Sequence, residues 1–408
     1  MPERDFDIVV YGATGFVGRR AARYLAGVAS AAGLRWAIAG RDAAKLATLA
    51  ESLGGVETIV AGANDTAALD ALAARTRVVL AMAGPFSLYA DALVDACVRA
   101  RTHYADITGE TPWVKSLIDR HHERAVADGT RIVPNCGFDS VPSDIGAFIA
   151  ARCANENGTG CGPVKAFFAM SGGFNGGTLA TLMLITGDPV LNAQFQDTQL
   201  LNPPGTRSND TRALRDPVVA SFDGDIAAWV APFVMGPINT RVVRRSAALF
   251  AEWGESYGPG FTYQEYMAFP GPFGAALAST VAAGTALVQT SLSSPPVRGA
   301  FQPLIPKPGT GPSESAIQNG SYRCRIVAKT ADGGRVNALL KNRGDPGNAA
   351  TVQFSCQAAL ALAFDGDALP GGAARGGVLT PATALGDALV RRLRSDGMTI
   401  DVSLERPQ

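Results

Sequence analysis

DIVVYGATGFVGRRAARYLAGV, residues 7–28, decides the fold. DIVVYG (7–12) is an apolar run that reads as a buried strand, and FVGRRAARYLAGV (16–28) repeats apolar residues at helical spacing. Between them stands GATGFVG (12–18). A strand that turns directly into a helix needs a tight turn at Gly12, open backbone at Gly15 and close helix-to-strand packing at Gly18. The helix start then offers amide donors and a partial positive charge, which suits a pyrophosphate. Outward from this turn the rhythm repeats. LRWAIAG (34–40) reads as a strand and AAKLATLAESL (43–53) as a helix with Asp42 as its N-cap; the apolar run VETIVAG precedes a helix over 66–75. RVVLAMAG (77–84), THYADIT (102–108) and RIVPN (131–135) read as strands, and ALVDACVRA (92–100) as a helix. Alternating strands and helices predict an α/β fold with a Rossmann-type parallel sheet covered on both faces.

The residues at the carboxyl ends of these strands are the candidate ligand contacts. Dinucleotide binding is assigned to Gly12, Ala13, Thr14, Gly15, Phe16 and Val17. At the end of the second strand, where NAD enzymes place a carboxylate for the ribose 2'-hydroxyl, the chain reads AGRDAAKL (39–46). Gly40, Arg41 and Lys45 suit a 2'-phosphate, so NADP(H) is favoured over NAD, with Asp42 taken as a cap rather than a ribose ligand. The alternative for Arg41 is a solvated loop residue. In AMAGPF (81–86), Ala83, Gly84, Pro85 and Phe86 are placed around the nicotinamide half, with Cys136 touching the cofactor. HYADITGE (103–110) and NCGFDSVPSD (135–144) arrive at the same rim. Tyr104, Asp106, Asp139 and Ser140 are therefore the candidate catalytic residues, each weighed against a core, turn-making or capping role. A nucleophilic Cys136 has no histidine obviously paired with it, and the three histidines, His103, His121 and His122, do not suggest a metal site.

Composition narrows the partners. The 408 residues suggest two or three domains, and 36 basic against 36 acidic residues form no like-charge block, which argues against nucleic acid. Six cysteines without CxxC spacing read as free thiols in a reducing compartment, and MPERDFDIVVYG carries no apolar leader before its strand pattern. A cytoplasmic protein is expected. Residues 273–292 are apolar but rich in Ala, Gly, Ser and Thr, and fall short of a membrane span. They predict a buried or substrate-lining helix, with peripheral lipid contact, and hence membrane association, as the alternative. SPPVRGAFQPLIPKPGTGPSE (294–314) reads as a long loop or lid.

Strand signals at 164–173, 261–269, 322–330 and 335–342, the last two joined by the turn ADGG, predict a second α+β unit with a mostly antiparallel sheet. Thr178 opens a helix signal, SGGFNGGT (171–178) is a candidate crevice wall, and two further helices, 344–364 and 380–395, are expected to return to the first unit. The division is 1–145 for the NADP-binding domain, 146–345 for the substrate domain and 346–408 for the C-terminal helices.

Several longer motifs carry a resemblance: GATGFVGR, AGRD..KL, AGPFSLYA, HYADITGE, NCGFDSVPSD, WVAPFVMGPINTRVVRRS (229–246), KPGTGPSE (307–314) and GGVLTPATALGDALVRRL (376–393). From residue 7 to about 405 the chain resembles the saccharopine dehydrogenase-like oxidoreductases, and within them the trans-acting enoyl reductase branch. The resemblance implies an NADPH-dependent enzyme that reduces a carbon–carbon double bond in an acyl chain carried by a polyketide synthase during lipid biosynthesis. It also implies a substrate crevice between the two units, and it supplies no proton donor. Two alternatives stay open: a saccharopine-type amino-acid dehydrogenase, and a non-catalytic NADP(H)-binding, lipid-associated protein. The former needs clustered arginines in the crevice; Arg241, Arg244 and Arg245 are candidates, though a solvated helix face is the favoured reading for them. A homodimer is compatible with the sequence.

Overall fold

A computed structural model describes residues 4–172, 185, 187–211, 213–293 and 311–407. β1 (Phe6–Tyr11), β2 (Trp36–Gly40), β3 (Glu57–Val60), β4 (Thr76–Ala81), β5 (His103–Asp106) and β6 (Arg131–Val133) form a parallel sheet in the order β3-β2-β1-β4-β5-β6. β1 is buried throughout, as a central strand covered on both faces must be. Helix Phe16–Ala32 begins where glycine spacing predicts, and Asp42 caps helix Ala43–Ser52 by accepting from the Lys45 amide at 3.1 Å.

The second sheet runs through β7 (Cys161–Ser171), β8 (Ser221–Asp223), β9 (Ala228–Pro232), β10 (Thr262–Phe269), β11 (Ser321–Thr330) and β12 (Arg335–Arg343). Its pairings are antiparallel except that β10 runs parallel to β7. Helix Val141–Glu156, which follows β6, crosses from one sheet to the other and packs on β11 and β12.

The last segment returns twice. Helix Thr351–Phe364, buried along almost its whole length, lies against helix Phe16–Ala32 and the first sheet. β13 (Gly377–Val378) extends the first sheet beside β6, helix Pro381–Ser395 packs on Val141–Glu156, and β14 (Thr399–Glu405) pairs with β12 in the second sheet. Thr380 opens helix Pro381–Ser395 with a capping box.

Two expectations need correction. The helix over 273–292 is Gly274–Ser293, but as far as Leu287 it is not buried: over 274–287 only Gly274, Ala278 and Ala282 are covered, while Phe273 is 75% and Leu277 52% exposed. Small residues at spacing four let the helix approach β9, and the larger ones face outward. No helix among the described residues is long and apolar enough to cross a membrane. The arginines of helix Gly236–Glu252 are also not solvated. Arg241, Arg244 and Arg245 are 1%, 5% and 1% exposed. Arg241 pairs with Asp216 and reaches the Phe195 carbonyl, Arg244 reaches those of Thr198 and Tyr263, and Arg245 those of Leu201 and Val378. Distant carbonyls take up the terminal N–H donors, while each buried Nε bonds to no described residue, so a charged face that looks external is internal. Most of the helix signal after Gly177, the proposed crevice wall SGGFNGGT beyond Gly172, and all of 294–310 lie outside the described residues.

Candidate functional site

The glycine turn is built from close contacts. Gly12 has φ +77°, and a Cβ there would lie 2.8 Å from that of Ala83, so the turn after β1 touches the loop after β4. A Cβ on Gly18 would lie 2.2 Å from the Gly12 carbonyl oxygen, the helix-to-strand approach its position requires. Gly15 is the N-cap of helix Phe16–Ala32, no side chain caps it, and no acidic residue occupies the first turn. Such a start suits an anionic pyrophosphate. Phe16 carries the Arg20 guanidinium 4.0 Å over its ring, and Gly311 abuts the same ring. Arg20 pairs with Glu314, which brings GPSE (311–314), the described end of the KPGTGPSE motif, against the glycine turn.

At the ends of β2 and β3 an open cavity of about 600 Å³ is lined by Arg41, Gly62, Ala63, Asn64, Asp65, Thr66 and Tyr89. Arg41 makes no ion pair with another described residue. Asp42 is occupied by its cap and by Lys45 Nζ at 3.3 Å, so Lys45 is tied to its neighbour at the surface. The free guanidinium beside this cavity fits a 2'-phosphate. Arg41→Ala is expected to raise the NADPH Kd about 10- to 100-fold. The NADH Kd should move less than about twofold in the same calorimetric titration, because only the phosphate loses a partner. Equal losses would remove Arg41 from the site.

Gly84 and cis Pro85 lead into Phe86, whose amide donates to Glu110 Oε1 at 2.7 Å while the Ser87 amide donates to Oε2 at 3.1 Å. Glu110 therefore clamps the AGPF loop from HYADITGE. Asp106 joins the other two rim loops: its Oδ1 accepts from the Thr108 amide at 2.9 Å and the Asn135 amide at 3.2 Å, and burial pushes its carboxyl up to about 7. Tyr104 is 0% exposed in β5, between Val79 and Ile132. Its buried hydroxyl faces the Asp106 carboxyl, and neither it nor Asp106 Oδ2 finds another hydrogen-bond partner among the described residues. Cys136 is also buried, and burial holds its thiol far above the range of a reactive thiolate.

Asp139 differs from all of these. It is half-buried, hydrogen-bonds to no described residue, and burial pushes its carboxyl up to about 6. Its Oδ2 lies 4.0 Å from where a Cβ on Gly109 would stand, and Ile238 Cδ1 lies 3.1 Å from the same point. Three segments converge there: HYADITGE, NCGFDSVPSD and the start of helix Gly236–Glu252. Ser140 is fully buried and donates to Asn239 Oδ1 at 3.2 Å.

Residues 8–133 match the family described as saccharopine dehydrogenase NADP binding domain. A Mycobacterium tuberculosis protein provisionally named a trans-acting enoyl reductase is 39% identical over 424 residues, spanning 98% of each chain. The trans-acting enoyl reductase of Mycobacterium ulcerans is 36% identical over 434 residues, again 98% of each. The chain belongs to the saccharopine dehydrogenase-like oxidoreductases. Its NADP(H)-binding domain is the one whose turn, cavity and Arg41 are described above. Apo saccharopine dehydrogenase (L-Glu forming) from Saccharomyces cerevisiae shares the fold, with a TM-score of 0.55 at 14% identity over 98% of this chain and 99% of that one.

In this oxidoreductase the sequence-derived site residues divide by depth. The Gly12–Val17 turn, Gly40, Arg41 and the Ala83–Phe86 loop surround one rim. Tyr104, Asp106, Ser140 and Cys136 lie beneath it, and Asp139 alone of the four catalytic candidates keeps exposed surface. Sequence reasoning missed Asn64 and Tyr89 in the cavity beside Arg41, the clamp role of Glu110, and Asn239 and Glu265, which bond to Ser140 and Ser143 next to Asp139. For Glu265 a signal exists: in TYQEYMAF, residues 263 and 265 share a strand face, and Tyr263 is 0% exposed.

Proposed function

We propose that this oxidoreductase is an NADPH-dependent enoyl reductase acting on an acyl chain carried by a polyketide synthase in lipid assembly. The observation that carries this reading over a saccharopine-type reaction is the fate of the three arginines. A substrate bearing several carboxylates needs guanidinium groups aimed into the crevice. Arg241, Arg244 and Arg245 are instead buried and bonded to Asp216 and backbone carbonyls. An enoyl substrate asks for less: a positioned carbonyl, an apolar wall and one proton source. The relatives named trans-acting enoyl reductases support the same reading.

Bound NADPH would supply a hydride for the β-carbon. The chain's own residues do the rest. The glycine turn and the Glu110-held loop fix the cofactor bed, and Arg41 secures the adenosine end. Asp139, whose carboxyl burial pushes up to about 6, holds in its acid form a proton for the α-carbon at the point where the three segments meet. Stopped-flow oxidation of bound NADPH tests the reaction class. An enoyl thioester on a carrier or pantetheine arm should discharge it in a single turnover, while an amino acid with an amino-acid semialdehyde should not. The opposite result would replace this reading with the saccharopine-type one.

A further inference from the structure

Glu265 on β10 is 0% exposed, and no step above uses it. Its Oε1 accepts from Asn239 Nδ2 at 2.8 Å, and its Oε2 accepts from Ser143 Oγ at 2.7 Å and the Tyr263 hydroxyl at 2.9 Å. Asn239 Oδ1 then accepts from Ser140 Oγ. A carboxylate offers only acceptors, so the amide of Asn239 turns its Nδ2 to Glu265 and leaves Oδ1 for Ser140. No described cation pairs with Glu265 within ion-pair distance. Arg244 attracts it only from beyond ion-pair distance, and a buried carboxyl so weakly compensated costs stability that an apolar side chain would not. The arrangement therefore secures something other than the core.

We propose that Glu265 and Asn239 are positioning residues for the carboxyl of Asp139, an inference that rests on the proton-donor role given to Asp139 above. Ser140 follows Asp139 directly, and Ser143 lies in the first turn of helix Val141–Glu156. Asn239 lies in the first turn of helix Gly236–Glu252, and its neighbour Ile238 presses on the Gly109 position beside Asp139. One side chain thus clamps the first turns of two helices that enter from different parts of the chain. Among the described residues the Asp139 carboxyl has no hydrogen-bond partner, so its aim depends on where this backbone is held. Glu265 itself has no exposed surface and does not reach the crevice.

A double-mutant cycle separates positioning from bulk stability. Single-turnover rates are measured on the full chain, saturated with NADPH and an enoyl thioester, for wild type, Glu265→Gln, Asp139→Asn and the double variant. Glu265→Gln should slow the wild-type background about 30-fold, since a misplacement of about 1 Å can cost about 100-fold. NADPH Kd and substrate KM should stay within about threefold, and in the Asp139→Asn background the same change should cost less than about twofold. Equal losses in both backgrounds, or no loss in wild type, would overturn the inference. An Asp139→Asn rate equal to wild type would instead overturn the proton-donor assignment, and is seen separately. If Glu265→Gln does not fold, Ser140→Ala, which cuts only the last hydrogen bond, is read in the same cycle against the same two outcomes.

Discussion

Asp139→Asn is expected to lower kcat for acyl reduction about 100- to 1,000-fold, the range over which a positioned general acid contributes. NADPH affinity should be unchanged within about twofold, because none of the cofactor-bed residues bonds to Asp139. The pH profile carries the sign. A general acid works protonated, and the carboxyl is pushed up to about 6 from its ordinary 3.8 by burial. The kcat should therefore be level below about pH 6 and fall about tenfold per pH unit above it, provided proton transfer limits the rate. In Asp139→Asn that limb should vanish. Steady-state rates from pH 5 to 9 check this, and a limb that survives in the variant would move the proton source elsewhere. The neighbouring carboxyls pushed up to about 7, Asp106, Asp144 and Glu265, are fully buried and cannot substitute.

Gly18→Ala should damage folding and cofactor binding together. The added methyl would stand 2.2 Å from the Gly12 carbonyl oxygen and 3.0 Å from the Ala13 Cα, both backbone, so the helix must move off the strand. Overpacking of this kind costs about 2 to 3 kcal/mol. In a chain of this size that lowers Tm by about 2–4 °C. The displaced turn should also raise the NADPH Kd at least about tenfold, because the amides and the pyrophosphate lose register. Gly27→Ala supplies the contrast. It lies in the same helix, Phe16–Ala32, exposed and with no atom within 4 Å of its Cβ position. There the substitution should stabilise by about 0.5 to 1 kcal/mol. Calorimetric unfolding of both variants decides; a Gly18→Ala protein that melts with wild type would refute the close-approach argument.

The first sheet was legible because parallel strands buried on both faces are continuous apolar runs and their helices carry recognisable caps. Helix Thr66–Arg75 falls on the predicted residues, and Asp42 caps where its side chain suggests. Strands β7, β10, β11 and β12 were found by alternation, and the ADGG hairpin by its turn residues. β13 and β14 were not. β13 gains its meaning from β6, paired through Gly377 and Arg131, and β14 from β12, paired through Thr399 and Lys341, partners that a local window does not contain. The buried arginines failed for the same reason: the carbonyls that satisfy Arg245 belong to Leu201 and Val378. At the site, Arg41 and the NCGFDSVPSD loop could be placed from topology alone. Depth could not. Tyr104 looks chemically apt at the end of a strand, yet β5 is central and closes over it, while Asp139, two residues before the helix, keeps a face open. The Asn239–Glu265 link joins positions that no spacing rule connects.

The route of the chain between its sheets has a mechanical consequence. It passes from one to the other after β6, after β12 and again after β13, the last time to lay β14 alongside β12. A single linker would permit free hinge bending, whereas three crossings must all distort at once. The two sheets are thus braced against each other like a stitched seam. A ligand lodged at the rim loops would meet a mould already set rather than jaws that shut around it.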